Sequence, residues 1–197
     1  MGDRVWGLGK KKTGQLKASG FCFLQPLTPI PRFEVYIVFQ VRAAYDEQLE
    51  IRSSLRRARD FFGDLGNFVK MMPGVERITT EAEGVVRWLI RADVPVIGAM
   101  RQAFAVELTE DSPRRIEWSP AADERKNLLR YSAAFEERGA STLVRIAQRV
   151  ELRRQTPREL HLMAGLVGAA RLSVELQKGV TEMMSTFLKR ARAELER

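Results

Sequence analysis

The chain has 197 residues, 45% of them apolar and 29% charged, with a formal net charge of +8, one Cys and one His. That composition supports a globular domain with a real core, and two potential ligands are too few for a disulfide scaffold or a structural zinc site. The longest apolar run, Met163–Ala170, falls far short of the roughly 18–20 residues that cross a bilayer, so an integral membrane protein is not expected.

Charge is concentrated at the start. Residues 1–32 carry Arg4, Lys10, Lys11, Lys12, Lys17 and Arg32 against Asp3, a balance of +5 that leaves +3 for the other 165 residues. A basic tail on a nearly neutral body favours loose attraction to a membrane surface or another polyanion over a dedicated nucleic-acid face. Five glycines from Gly2 to Gly20 and Pro26, Pro29 and Pro31 make this stretch read as a poorly ordered extension. Lys10–Lys12 ahead of Phe21–Leu24 imitates a secretory signal, but the apolar part is too short and Gln25-Pro26 ends it. A cytoplasmic protein, at most peripheral to the membrane, is expected. Gly9 and Gly14 have phosphate-loop spacing, yet Gln15-Leu16 stand where Lys and Ser or Thr must meet phosphate and magnesium. Phe33, Val35, Ile37, Phe39 and Val41 alternate with period two, either an extra strand or an accident of the extension. The extension is placed at residues 1–42 and the folded domain at 43–197.

Gln48 to Arg52 alternates polar and apolar residues and reads as a strand. Ser53 or Ser54 can cap a helix over Leu55–Phe62, ended by Gly63. Arg56, Arg57 and Arg59 on it read as a solvated face rather than an anion site. Asn67–Met72 predicts a second short helix with Phe68, Met71 and Met72 on one side, closed by Pro73-Gly74. From Val75 to Arg153 come six alternating runs separated by turn residues: Val75–Ala82, Val85–Ala92, Met100–Glu110, Arg115–Ser119, Leu128–Glu137 and Thr142–Arg153. Each has one bulky apolar face and one charged face, the pattern of an antiparallel meander with one side buried. Pro157 opens a helical tail to Glu196 in which Leu172, Leu176, Val180, Met183, Phe187, Ala191 and Leu195 form a stripe; Gly165 and Gly168 divide a short helix from the long one. The order of elements is α+β.

This order, together with the segment Asp64-Leu65-Gly66-Asn67-Phe68-Val69-Lys70-Met71-Met72-Pro73-Gly74-Val75-Glu76, resembles the START-like (SRPBCC) superfamily, of the polyketide cyclase/dehydrase or coenzyme-Q-binding type. Met71 stands where many members have Trp. The resemblance runs from about Gln48 to Glu196. It implies a helix-grip fold: two short helices after the first strand, then a curved antiparallel sheet of seven strands wrapped around the long C-terminal helix over an apolar cavity. Such cavities hold lipids, quinones, sterols or polyketide intermediates, but the fold does not fix ligand or chemistry.

On this reading the candidate ligand-binding residues are Phe68, Met72, Trp88, Phe104, Val106, Trp118, Tyr131, Phe135, Ile146, Val180, Met183, Met184 and Phe187. For each of them ordinary core filling is the alternative, and taken singly the one favoured. Gly179, costing about 1 kcal/mol of helix stability relative to Ala, either leaves room for a guest or lets another element pack closely. Phe68, Met71 and Met72 either form a gate or membrane-touching lip at the cavity mouth or close the core edge, and Val94–Ile97 offers a second lip or packs beneath the sheet. The polar handles are Tyr131 and Gln148, inward by strand parity, and His161, the sole imidazole; these are the weak catalytic candidates. No Gly-x-Ser-x-Gly elbow, Cys/His couple or metal-ligand cluster occurs, so neither cofactor nor metal is expected. Three readings follow: a binding protein for a hydrophobic small molecule or lipid (quinone, fatty acyl or polyketide-like); a cyclase or dehydratase on the same scaffold; or a peripheral membrane or respiratory-chain accessory factor.

Overall fold

The computed structural model describes residues 39–81, 84–95 and 97–197. The segment Met1–Val38, with the tail glycines, the apolar run Phe21–Leu24 and the first part of the alternation from Phe33, lies outside the described residues, as do Ala82, Glu83 and Val96.

Seven strands make one sheet: β1 (Phe39–Ile51), β2 (Val75–Thr80), β3 (Val85–Val94), β4 (Gly98–Ser112), β5 (Arg115–Pro120), β6 (Asn127–Arg138) and β7 (Ser141–Arg154). Every neighbouring pair is antiparallel and the spatial order is β1-β7-β6-β5-β4-β3-β2. The meander β2 to β7 follows chain order because each link is a short turn, whereas β1 returns to pair with the last strand, closing the sheet's order around the interior. Two short helices, α1 (Leu55–Gly63) and α2 (Leu65–Met71), bridge β1 to β2, and α3 (Ala164–Val167) and the 27-residue α4 (Ala169–Leu195) follow β7 after a 3-10 turn at Pro157–Glu159.

The elements follow their local signals. Ser54 caps α1 by accepting from the Arg57 N–H at 3.4 Å, and Asp64 caps α2 by accepting from the Gly66 N–H at 2.8 Å. Gly168 separates α3 from α4 at φ +79°, a conformation that costs a side-chain-bearing residue steric strain. Gly165, by contrast, lies within α3. The main departure is at the start. The described end of the first alternation, Phe39–Val41, and most of the second, Gln48–Ile51, are parts of one longer run: β1 spans Phe39–Ile51 and pairs with β7 from Phe39↔Arg154 to Ile51↔Thr142. Residues 39–42, expected in the extension, are therefore sheet.

α4 lies on the inward face. It also covers the free edge of β1: the Arg42 N–H donates to Ser173 Oγ at 3.2 Å, the Ala44 N–H to Gln177 Oε1 at 2.9 Å, and Gln177 Nε2 to the Ala44 carbonyl at 2.7 Å. An edge strand whose outward backbone groups are bonded by a helix cannot template pairing with another chain there. At its far end α4 is tied to α2 by Arg190 Nη1, which donates to the Met71 carbonyl at 2.8 Å.

Candidate ligand cavity

A cavity of about 350 Å³ opens between the sheet and α4. Alternate residues of three strands supply its sheet side: Ile90, Ala92 and Val94 of β3, Met100, Gln102 and Phe104 of β4, and Gln148, Val150 and Leu152 of β7. Helical spacing supplies the other side, with Glu175, Leu176, Gly179, Val180, Glu182, Met183 and Thr186 of α4, while Pro73 and Gly74 border it before β2. A period of two on the sheet faces steps of three or four residues on the helix, so the wall is built by the two periodicities visible in the sequence.

Position along the strands decides which inward side chains face the void. One step further along each strand from the cavity, Trp88, Val106 and Ile146 are buried and do not line it. Phe68 of α2 enters that end of the interior, with its ring centroid 5.0 Å from Trp88, 5.1 Å from Tyr131 and 4.8 Å from Phe187. Phe62 extends the cluster to Phe135 and Phe187 at 6.1 and 6.0 Å. Edge-to-face and offset contacts at these separations are those of a filled aromatic core. Of the thirteen candidate residues, Phe104, Val180 and Met183 line the void; Phe68, Met72, Trp88, Val106, Trp118, Tyr131, Phe135, Ile146, Met184 and Phe187 belong to the packed core beside it.

Met71 and Met72 are buried, which favours the core-edge alternative over an exposed lip. The short helix turns its apolar side onto the core, where that area is removed from water. Val94 and Ile97 are buried too, with Val94 at the cavity wall and a turn closed by the Ile97 N–H donating to the Val94 carbonyl at 3.0 Å. On α2 Val69 is 40% exposed, and the most exposed apolar side chains lie elsewhere: Leu162 and Leu166 are each 81% exposed, beside Met163. Arg56 is solvated, Arg57 donates to the Glu194 carbonyl at 3.2 Å, and Arg59 pairs with Asp111.

The polar handles are not gathered. Gln148 lines the cavity and is 4% exposed; its backbone carbonyl accepts from Arg149 Nη1, while its side-chain amide has no partner among the described residues. Tyr131, its cross-strand partner, is fully buried with a hydroxyl unbonded among the described residues, and burial pushes its pKa far above the usual phenol value, so it stays protonated. The indole N–H groups of Trp88 and Trp118 are likewise without partners. His161 lies outside the cavity, between the 3-10 turn and α3, where its Nδ1 accepts from the Met163 N–H at 3.2 Å.

Sequence reasoning missed Glu175. It sits on the helix's inward stripe with only 5% of its side chain exposed, and its carboxylate takes Arg171 Nη2 at 3.3 Å and Lys178 Nζ at 3.2 Å. Its spacing from Leu172, Leu176 and Gly179 was the available signal. Gln102 is another cavity residue outside the candidates; its Oε1 accepts from the buried Arg154, which also donates to Asn127 Oδ1, both at 2.8 Å. Burial pulls the Arg154 pKa down. Among the described residues, no group of three or more His, Cys, Asp or Glu is placed to hold a metal, and no helix is long and apolar enough to cross a membrane.

Compared by sequence, no family profile and no curated protein matches the chain. Solved structures do match. The Zhui aromatase/cyclase from Streptomyces sp. R1128 superposes with a TM-score of 0.57 at 14% identity, covering 79% of this chain and 94% of that one. A START superfamily protein from Mycobacterium smegmatis gives 0.53 at 12% identity, covering 78% and 97%. The fold is the START-like helix grip. The di-domain aromatase/cyclase BexL of the BE-7585A biosynthetic pathway gives 0.56 at 15% identity over 80% of this chain, and StfQ of the steffimycin pathway 0.55 at 11% over 79%. The chain spans about half the length of these two-domain proteins. At such identities the START-like scaffold is what is shared.

Proposed function

We propose that this helix-grip chain binds a hydrophobic small molecule or lipid between its sheet and α4. The observation that carries the reading is Gly179: it lines the cavity within a helix, and a Cβ built on it would meet no atom within 4 Å. Close packing does not require the glycine there, and Ala would favour the helix, so the bare position serves the space itself. Affinity would come from apolar area removed from water at Ile90, Met100, Phe104, Val150, Leu176 and Met183. A quinone, a fatty acyl chain or a polyketide-like molecule are the ligand classes, and the neighbours named aromatase/cyclase favour the last.

The test is uptake by protein unfolded, stripped and refolded. Saturable binding of a neutral environment-sensitive dye or a quinone is expected, together with its loss in Gly179→Phe at unchanged circular dichroism. No uptake by the native chain, or undiminished uptake by the variant, sinks the reading. The aromatase/cyclase neighbours also support a second reading, a cyclase or dehydratase that folds a reactive chain in the same cavity. Its candidate groups are Gln148, Tyr131 and His161, of which Gln148 alone borders the void. Turnover of a polyketide-like substrate that survives replacement of all three would remove them from the chemistry.

A further inference from the structure

The cavity's polar groups are unequal in sign. Glu175, Glu182 and Asp93 line it against a single cation, Arg91, which is itself held to Asp93 at 3.3 Å. Glu175 is the group set deepest. Its partners Arg171 and Lys178 are 62% and 66% exposed and do not line the cavity, so water screens their charge while the carboxylate borders the cavity. Independently of these carboxylates, Gln148, a residue only 4% exposed, presents on the opposite wall an amide with no protein partner among the described residues. A buried amide left unbonded is costly, and a ligand group that bonds it recovers that cost.

From these observations we infer that the cavity selects amphiphiles whose polar end donates hydrogen bonds, an amine or an alcohol, and rejects those ending in a carboxylate. The inference rests on the cavity being a ligand site and narrows what enters it. A carboxylate oxygen can only accept, so an amine or hydroxyl satisfies Glu175, whereas an anionic end meets like charge. The Gln148 amide oxygen on the opposite wall accepts from a donor of the same kind. Of the ligand classes above, hydroxylated ring systems fit and free fatty acids do not.

Decylamine, 1-decanol and decanoate share one chain and differ at the polar end. Measured by displacement of neutral Nile red from the full chain at pH 7.5, the amine and alcohol should compete, with decanoate weaker by roughly tenfold or more. In Glu175→Gln the gap between decanoate and 1-decanol should shrink to about threefold or less. Gln148→Leu should weaken amine and alcohol by roughly fivefold. Should Glu175→Gln fail to fold, Arg171→Ala with Lys178→Ala leaves the carboxylate in place and should widen the preference for the amine. Decanoate binding as tightly as 1-decanol to the native chain overturns the inference but leaves the binding reading standing. A preference unchanged in these charge variants also overturns it. If none of the three competes while Nile red still binds, the inference fails alone; if Nile red does not bind either, the cavity reading fails with it.

Discussion

At position 179 an added methyl group would meet nothing within 4 Å, whereas at position 74 it would sit 2.4 Å from the Arg91 carbonyl oxygen. Gly179→Ala should therefore raise stability by about 1 kcal/mol, the helix-propensity difference, while the added methyl takes cavity space and weakens ligand uptake; the denaturant midpoint and the dye titration check the two halves. Gly74 lies at φ +82° and its carbonyl accepts the Arg91 N–H at 2.8 Å. Gly74→Ala should lower stability by about 1–3 kcal/mol, since the strained backbone and the clash with a main-chain atom have no flexible side chain to absorb them. Tyr131 supplies the converse case. Its buried hydroxyl lacks a partner among the described residues, so Tyr131→Phe should leave stability unchanged or raise it by about 1 kcal/mol. A clear loss in thermal or denaturant unfolding would mean that the hydroxyl is bonded in solution.

Between elements, the contact of α4 with β1 depends on small side chains. Ala43 is buried and the Ala44 backbone is bonded on both its N–H and its carbonyl by Gln177. That is also why β1 was legible only in pieces: a strand lying under a helix carries Ala where bulky alternation would announce it. The meander was plain because each of its strands has a bulky face and a charged one, and the two caps and the Pro73-Gly74 turn marked the short helices. Gln177→Ala removes two bonds to a strand edge. It should cost about 1–2 kcal/mol and speed hydrogen exchange at the Ala44 amide; exchange unchanged there would show that the edge does not depend on α4.

Over the whole molecule, the sheet's outer face is laced with arginine–glutamate pairs. Arg115 and Arg130 each hold Glu117 at 2.6 Å, and Arg145 and Arg138 hold Glu136 at 2.7 and 3.2 Å. Hydrogen bonds from Arg115 and Arg145 lead the causes that keep Glu117 and Glu136 below the usual carboxylate range. A carboxylate depressed in the folded state contributes stability above its unfolded pKa, near about 4.3 for Glu. That contribution disappears as pH falls through the folded value. Stability should thus hold from neutrality to that range and decline below it, and Glu117→Gln should flatten the acid limb in urea titrations while costing at most about 1 kcal/mol at pH 7. The cavity was less legible than the sheet for a reason of the same scale. Strand parity tells which side chains turn inward, but Trp88 and Ile90 share that parity, and only the entry of Phe68 from a different element fills one end and leaves the other open. The helix that completes this interior is encoded after every strand it covers. During synthesis the apolar side of the finished sheet must wait for the stretch from residue 154 to 195, roughly 2–8 s at ribosomal speed, and in that interval the nascent chain is most in need of a chaperone.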